Sequence, residues 1–299
     1  MATIRKKTVA GKEYYYLEHS MRIGGNVEKK DLYLGKSLPK DIETLKRKFL
    51  AGIYSGKWHS QFEKIRQGFQ SEQGKMPPSA LEKETESFMV RFTYDTNKIE
   101  GSTLTLRETA DLLERGITPN RKPMRDIKET EAHKEVFYAM LAHKKEALQS
   151  ILLEWHAMLL GSTKPDVAGR LRNHQVAISG SKFLPPTPVE VPLLMSEFFS
   201  WYERNRIKLH PVELAALCHL KLVTIHPFSD GNGRISRLLM NFVLKKHGYP
   251  MLNIRYGNRS GYYSALERAQ VKKEELVFVN WFFKRYSKEN ARYPKLAKK

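Results

Sequence analysis

The sequence predicts a mainly α-helical protein preceded by a small antiparallel β module. Three observations carry that prediction. Residues 1–36 are rich in β-prone aromatic and branched side chains around glycine turns. Residues 71–78 are polar, with Gly74 and Pro77-Pro78, the composition of a linker. From Ser79 onward apolar residues recur at helical spacing almost to the end. The 299 residues, 41% of them hydrophobic, suffice for a packed core.

In order along the chain, Tyr14-Tyr15-Tyr16-Leu17 reads as strand, Gly24-Gly25-Asn26 as a turn, and Val27 to Leu34 as a further strand. A sheet of about three strands is too small to stand alone. Residues 40–73 offer it a helix, with Leu45, Phe49, Ile53 and Tyr54 at helical spacing. The expected organisation is a basic β module over 1–36, a helical linker region over 37–78, a helical domain over 79–290 and a frayed basic tail over 291–299. Helices are predicted at 79–98, 105–116, 127–144, 147–161, 190–206, 211–225, 232–247, 260–270 and 273–287. Two features interrupt them. Val176 to Pro186 reads as a hairpin around Gly180-Ser181-Lys182, and His226 to Gly233 reads as a loop.

The formal net charge is +20. Residues 1–75 carry 16 Lys/Arg against 8 Asp/Glu. The excess admits anionic partners such as nucleotides, nucleic acid or acidic protein surfaces, or a general surface charge that serves solubility. Lys6, Lys7, Arg22, Lys29 and Lys30 lie among Tyr14 to Tyr16 and Tyr33, a texture that admits nucleic-acid binding through residues 1–75. The competing reading is a docking or dimerisation module with a solvated basic face. Cys218 is the one cysteine, so neither an internal disulfide nor a cysteine metal cluster is possible. A zinc site from His219 and His226 lacks a complete ligand set. Met1 to Lys7 lacks the apolar core of a signal peptide, and no apolar run reaches the ~18–20 residues of a membrane span. A cytoplasmic location and no membrane partner are expected.

The densest chemistry lies in His226-Pro-Phe-Ser-Asp230-Gly231-Asn232-Gly233-Arg234-Ile-Ser-Arg237. Pro211 suits a first helical position, and the helix it opens must end near His226-Pro227. The glycines let the backbone turn tightly and approach a ligand, and the next helix then points free N–H groups outward, an anion site. Arg234 and Arg237, three apart, leave its first turn on nearby faces and can grip phosphates. Asp230 at the lip suits Mg²⁺, which binds one or two carboxylates plus phosphate oxygens. His226 can serve as general base near neutral pH.

These residues resemble the signature of the Fic family, His-x-Phe-x-Asp/Glu-Gly-Asn-Gly-Arg-x-x-Arg, at every fixed position. The surroundings are similar too: His210-Pro211 with Ala215 and His219, Gly169-Arg170-Leu171-Arg172 with Pro185-Pro186, and Arg259 with Tyr262-Tyr263. The resemblance covers about residues 80–287 and implies a Fic-type helical bundle with a β-hairpin flap. It also implies a protein adenylyltransferase, moving AMP from ATP to Ser, Thr or Tyr hydroxyls of target proteins with Mg²⁺. On that resemblance His226 deprotonates the hydroxyl and Asp230 holds Mg²⁺. Gly231, Asn232 and Gly233 cradle phosphates, Arg234 holds the α- and β-phosphates, and Arg237 the γ-phosphate. Tyr262 and Tyr263 lie near the nucleoside, and Gln270 stands where related pockets often have Asn. Val176, Ile178, Gly180 and Phe183 belong to the flap that pins the target by strand-like pairing.

Thr96-Asn-Lys-Ile-Glu100-Gly101 resembles the family's inhibitory pattern, Ser/Thr-x-x-x-Glu-Gly/Asn, placed N-terminal to the core. The resemblance implies that Glu100 pairs with Arg237 and restrains transfer. The same glutamate could instead support removal of AMP, and transfer of UMP, phosphate or phosphocholine is a further alternative. Self-modification and a homodimer are expected of such a protein.

Overall fold

A computed structural model of the protein describes residues 2–23 and 26–296. Two compact units divide them, Met1–Gln61 and Phe62–Lys299.

The first unit holds three strands, β1 (Thr3–Val9), β2 (Lys12–Ile23) and β3 (Asn26–Gly35), and the start of helix α1 (Ile42–Gln73). The sheet is an antiparallel meander in the order β1-β2-β3. Tyr16 pairs with Arg5 on one side and Tyr33 on the other, with a register shift at Tyr15/Tyr16. Ala10-Gly11 makes the first turn with positive φ at both residues, the backbone that matches strand twist. Gly24 and Gly25 of the expected second turn lie outside the described residues. The anticipated linker is shorter than its composition suggests: α1 continues to Gln73, and only residues 74–77 separate it from α2 (Pro78–Ile99).

The second unit is helical: α2, α3 (Leu106–Arg115), α4 (Met124–Ala142), α5 (Gln149–Leu160), α6 (Val191–Asn205), α7 (Pro211–Ile225), α8 (Asn232–Lys246), α9 (Arg259–Lys272), α10 (Glu275–Glu289) and the short α11 (Tyr293–Leu296). Helix α3 starts on a reciprocal cap, Thr105 Oγ1 to Glu108 N and Glu108 to Thr105 N, and stops at Gly116 in the left-handed region. Helices α7 and α8 form the centre. Leu214, Ala215, Ala216, Cys218, Leu222, Ile235, Leu238, Met240 and Val243 are all buried there, with small residues on α7 where the backbones approach. Because α7 and α8 are consecutive and antiparallel, the connection between them emerges at one end of the bundle.

Two expectations need correction. The tail does not simply fray: Arg292 bonds Glu72 and Glu84, and Tyr293 is buried with its ring 5.4 Å from Phe69. Its main chain lies so close to Gly68 that a side chain there would collide with Tyr293. The 176–186 segment turns at Gly180 (φ 74°) through Ser181 N to Ile178 O at 3.1 Å, but its arms form no strand ladder. Side chains hold them instead, as described below. Among the described residues no helix is long and apolar enough to cross a membrane.

Candidate active site

Helix α7 ends at His226, which takes a left-handed backbone (φ 52°, ψ 56°) so that the chain can turn into Pro227. A non-glycine residue is held there only when its surroundings over-determine it, and here they do. Arg172, itself buried, donates Nε to His226 O at 2.7 Å, while its own N–H donates to Pro227 O at 2.9 Å. Its other nitrogens donate to His174 O at 3.0 Å and Pro186 O at 2.5 Å. One guanidinium therefore ties the loop to the chain on both sides of the flap, at His174 just before it and at Pro186 at its end. Gln175 bridges those two sides by donating to Pro185 O, and Glu267 accepts from Lys182 N at the tip.

Within the loop, the Asn232 side chain accepts from Phe228 N at 2.9 Å and donates to Phe228 O at 2.7 Å, closing it on itself. His156 stacks on Phe228 at 3.9 Å and 9°. Gly169 N donates to its Nδ1 at 2.9 Å, so its proton sits on Nε2 and donates to Asp230 O at 3.0 Å. Burial holds His156 down to about 4, which keeps it neutral in that role. Gly231 (φ 76°) then starts α8 and leaves the amides of its first turn facing the cleft.

Several charged groups border those amides. Asp230 is partly exposed and accepts from Gly231 N at 2.5 Å. Lys164 and, at 3.4 Å, Arg234 Nη2 also reach it. Burial works against its charge, but Arg234, Lys164 and Gly231 N–H outweigh burial and hold the carboxyl at about 2. Arg234 is buried and ion-paired with Glu129. Arg237 is buried as well, donating Nε to Thr96 Oγ1 at 2.6 Å and Nη2 to Glu100 Oε1 at 2.6 Å. The expected Glu100–Arg237 contact is thus present, with Thr96 as its second anchor. Glu100 is placed by the end of α2: Ser102 N bonds Asn97 O at 2.9 Å and Gly101 turns left-handed (φ 96°), a glycine stop. A side chain on Gly233 would collide with the Glu100 carboxylate, so that carboxylate lies over the N-terminus of α8 itself.

His226 donates Nδ1–H to Val223 O at 3.2 Å, which leaves Nε2 as a free acceptor. Burial lowers its pKa below the usual 6.5, against the pull of the Val223 carbonyl. The neutral base form is the resting form at neutral pH.

The motif residues Asp230, Arg234 and Arg237 come together with Glu100 at the start of α8. Tyr262 is buried and accepts from Arg237 Nη1 at 3.3 Å, its hydroxyl passing its own proton to His219 Nε2 at 3.0 Å. Its hydroxyl meets Arg237 and His219, and the rings of Phe278 and Trp281 on α10 pack against it. Tyr263, partly exposed, donates to Ile99 O at 3.1 Å, next to Glu100. Gln270 donates to Thr224 Oγ1 at 3.2 Å beside a cavity of about 800 Å³ that also touches Phe183, Leu184 and Ile225. Val176, Ile178 and Phe183 alternate as half-buried residues with more exposed neighbours along the flap.

A second, polar cleft of about 40 Å³ joins Glu100, Asn97, Arg125, Glu129, Lys164, Asp230 and Arg234. Lys164 and Glu129 carry no sequence signal, since each reaches the loop only through the tertiary fold. Among the described residues no cluster of three or more His, Cys, Asp or Glu forms a metal site. Mg²⁺ binds through one or two carboxylates with phosphate oxygens and waters completing its shell, a pattern that Asp230 could serve.

Residues 148–244 match the Fic/DOC family. The chain is 30% identical to a Fic domain containing signaling protein from Bacteroides thetaiotaomicron, over 80% of this chain and 97% of that one, with a TM-score of 0.71. Fic-1 (residues 134–508) from C. elegans gives a TM-score of 0.69 at 26% identity, over 88% of this chain and 79% of that one. Proteins named protein adenylyltransferase Fic are 38% identical over 195 residues in Drosophila erecta and over 181 in Nematostella vectensis. Those regions make up 64% and 59% of this chain but only 39% and 42% of the relatives, so the chain spans about two fifths of their length.

Proposed function

The chain belongs to the Fic/DOC family, and from that premise we propose that it is a protein adenylyltransferase restrained by its own Glu100. The observation that carries this reading is the His226–Arg237 loop: a neutral base with a free Nε2, a helix N-terminus presenting amides, and two buried arginines on the same turn. The proposed substrates are ATP and a protein bearing a Ser, Thr or Tyr hydroxyl, with self-modification and a homodimer as further possibilities for the same chemistry.

In the proposed step the target oxygen attacks the α-phosphorus, the bond to the bridging oxygen breaks, pyrophosphate leaves, and the hydroxyl proton passes to His226 Nε2. The first-turn amides of α8 and the Arg234 guanidinium stabilise the charge that builds on the phosphate oxygens. Asp230 is ionised and faces the polar cleft, so it fits as the protein ligand of Mg²⁺. A bound Mg²⁺ would neutralise phosphate charge there. The flap is the proposed surface on which a target segment pairs in strand-like fashion.

Glu100 occupies Arg237 and lies over the helix N-terminus, where a γ-phosphate would compete for the same guanidinium. Glu100→Gly is expected to raise labelling of the protein by radiolabelled ATP with Mg²⁺ at least about tenfold, and His226→Ala in that background to abolish it. Equal labelling of Glu100→Gly and wild type would refute the restraint; persistent labelling without His226 would refute the base. The partly exposed Glu100 also supports a second reading, removal of AMP by water that it orients. Loss of label when wild-type protein is added to labelled Glu100→Gly protein would favour that reading.

A further inference from the structure

Strand pleating sorts the β1–β3 sheet onto two faces. One face carries Leu17 and His19, both buried. The other carries three tyrosines, Tyr14, Tyr16 and Tyr33, with Arg5, Lys7 and Lys29 around them. Tyr33 is 53% exposed, its ring 5.3 Å from Tyr16 and 6.0 Å from Tyr14. The Lys7 ammonium stands 4.4 Å over the Tyr16 ring. Glu18 sits beneath the cations and pairs with Lys29 at 2.8 Å, Lys7 at 2.9 Å and Arg5 at 3.9 Å. Glu18, with Asp31 as a second carboxylate 3.5 Å from Lys7, leaves the three cations in excess. It fixes the ends of the long side chains beside the rings. The excess extends through the unit, since residues 1–61 contain 13 Lys/Arg and 6 Asp/Glu.

A row of aromatic π-faces with cations at its margins is chemistry for unstacked bases and their phosphates. Bases stack on the rings, and phosphates meet the cations. A duplex hides its base faces and would leave the rings unused. We propose that this tyrosine face of the β1–β3 sheet binds single-stranded nucleic acid. The inference rests on residues 3–35 and does not depend on the transfer reaction.

The test is fluorescence anisotropy of the full chain with a labelled single-stranded 20-mer, as DNA and as RNA, against the duplex of the same sequence. Single strands are expected to bind more tightly than the duplex. Three phosphate contacts would give a log affinity that falls with log salt at a slope of about −2. Tyr33→Ala is expected to weaken binding about tenfold, while Tyr33→Phe, which keeps the ring, stays within about twofold. Because Tyr33 is exposed, both variants should melt with the wild type. The proposal is overturned by absence of binding, by Tyr33→Ala binding as wild type does, by preference for the duplex, or by equal binding of poly-glutamate.

Discussion

His226 can accept a proton only while its own stays on Nδ1, and the Val223 carbonyl selects that tautomer. Burial then lowers its pKa, because the imidazolium would lose more hydration than the carbonyl returns. The sign of the pH dependence follows. Transfer needs the neutral ring, so the acid limb of kcat/KM for Glu100→Gly should lie below 6.5, with a plateau through pH 7 to 8. A limb at or above 6.5 in the pH–rate profile would remove His226 from the role. At this scale much was legible in the sequence: His226, Asp230, Arg234 and Arg237 stand together as their spacing suggested, and Glu100 meets Arg237 as the family resemblance implied. Lys164, 66 residues from Asp230, and Glu129, 105 from Arg234, were not legible, because no local period links them to the loop. The contacts of Tyr262 with Arg237 and His219 were not legible for a related reason. An aromatic residue near a nucleotide loop reads as a nucleoside contact, and only the packing of α9 turns its hydroxyl toward Arg237 and His219.

Between elements, the decisive connection is Arg172, which joins the α7–α8 loop to the flap through four main-chain oxygens, one of them reached by its own amide. A lysine could satisfy one of the three carbonyls that the guanidinium serves. Arg172→Lys should therefore cost about 2 kcal/mol, the order expected for buried carbonyls left unpaired, read as a shifted urea midpoint. Transfer in the Glu100→Gly background should fall at least about tenfold, because loop and flap no longer share one anchor. Nucleotide binding is expected to change less than transfer, since the α8 amides and Arg234 do not touch Arg172. The same anchor explains why the flap's turn was legible and its strands were not. Gly180-Ser181-Lys182 is local turn chemistry, whereas the arms take their hydrogen bonds from Arg172 and Gln175 rather than from each other. The helices from α2 to α10 follow their apolar period closely. The tail escaped that reasoning because Arg292 and Tyr293 are held by distant residues, Glu72, Glu84 and Phe69.

For the whole molecule, the buried positive arginines at the centre are balanced by keeping neighbouring histidines neutral. His133 and His219 are completely enclosed, and burial with the nearby arginines lowers each to about 3. His156 stands at about 4. Each has a folded pKa below the 6.5 of an unfolded histidine, so between those values the unfolded chain binds more protons than the folded one. Stability is then fully present above about pH 6.5 and is lost progressively as pH falls toward 3. At pH 5 each fully neutral histidine contributes about 2 kcal/mol of that loss. Carboxylates held low, such as Asp230 at about 2, lose their share only at more acid pH and leave this window to the histidines. The melting temperature should fall steadily from pH 7 to pH 5. His219→Gln should flatten the slope, since it removes one of the titrating groups while its amide can still meet Tyr262. A melting temperature that does not change between pH 7 and pH 5, or an unaltered slope in His219→Gln, would show that these rings are protonated in the folded protein and that Arg237 is held by some other balance of charge.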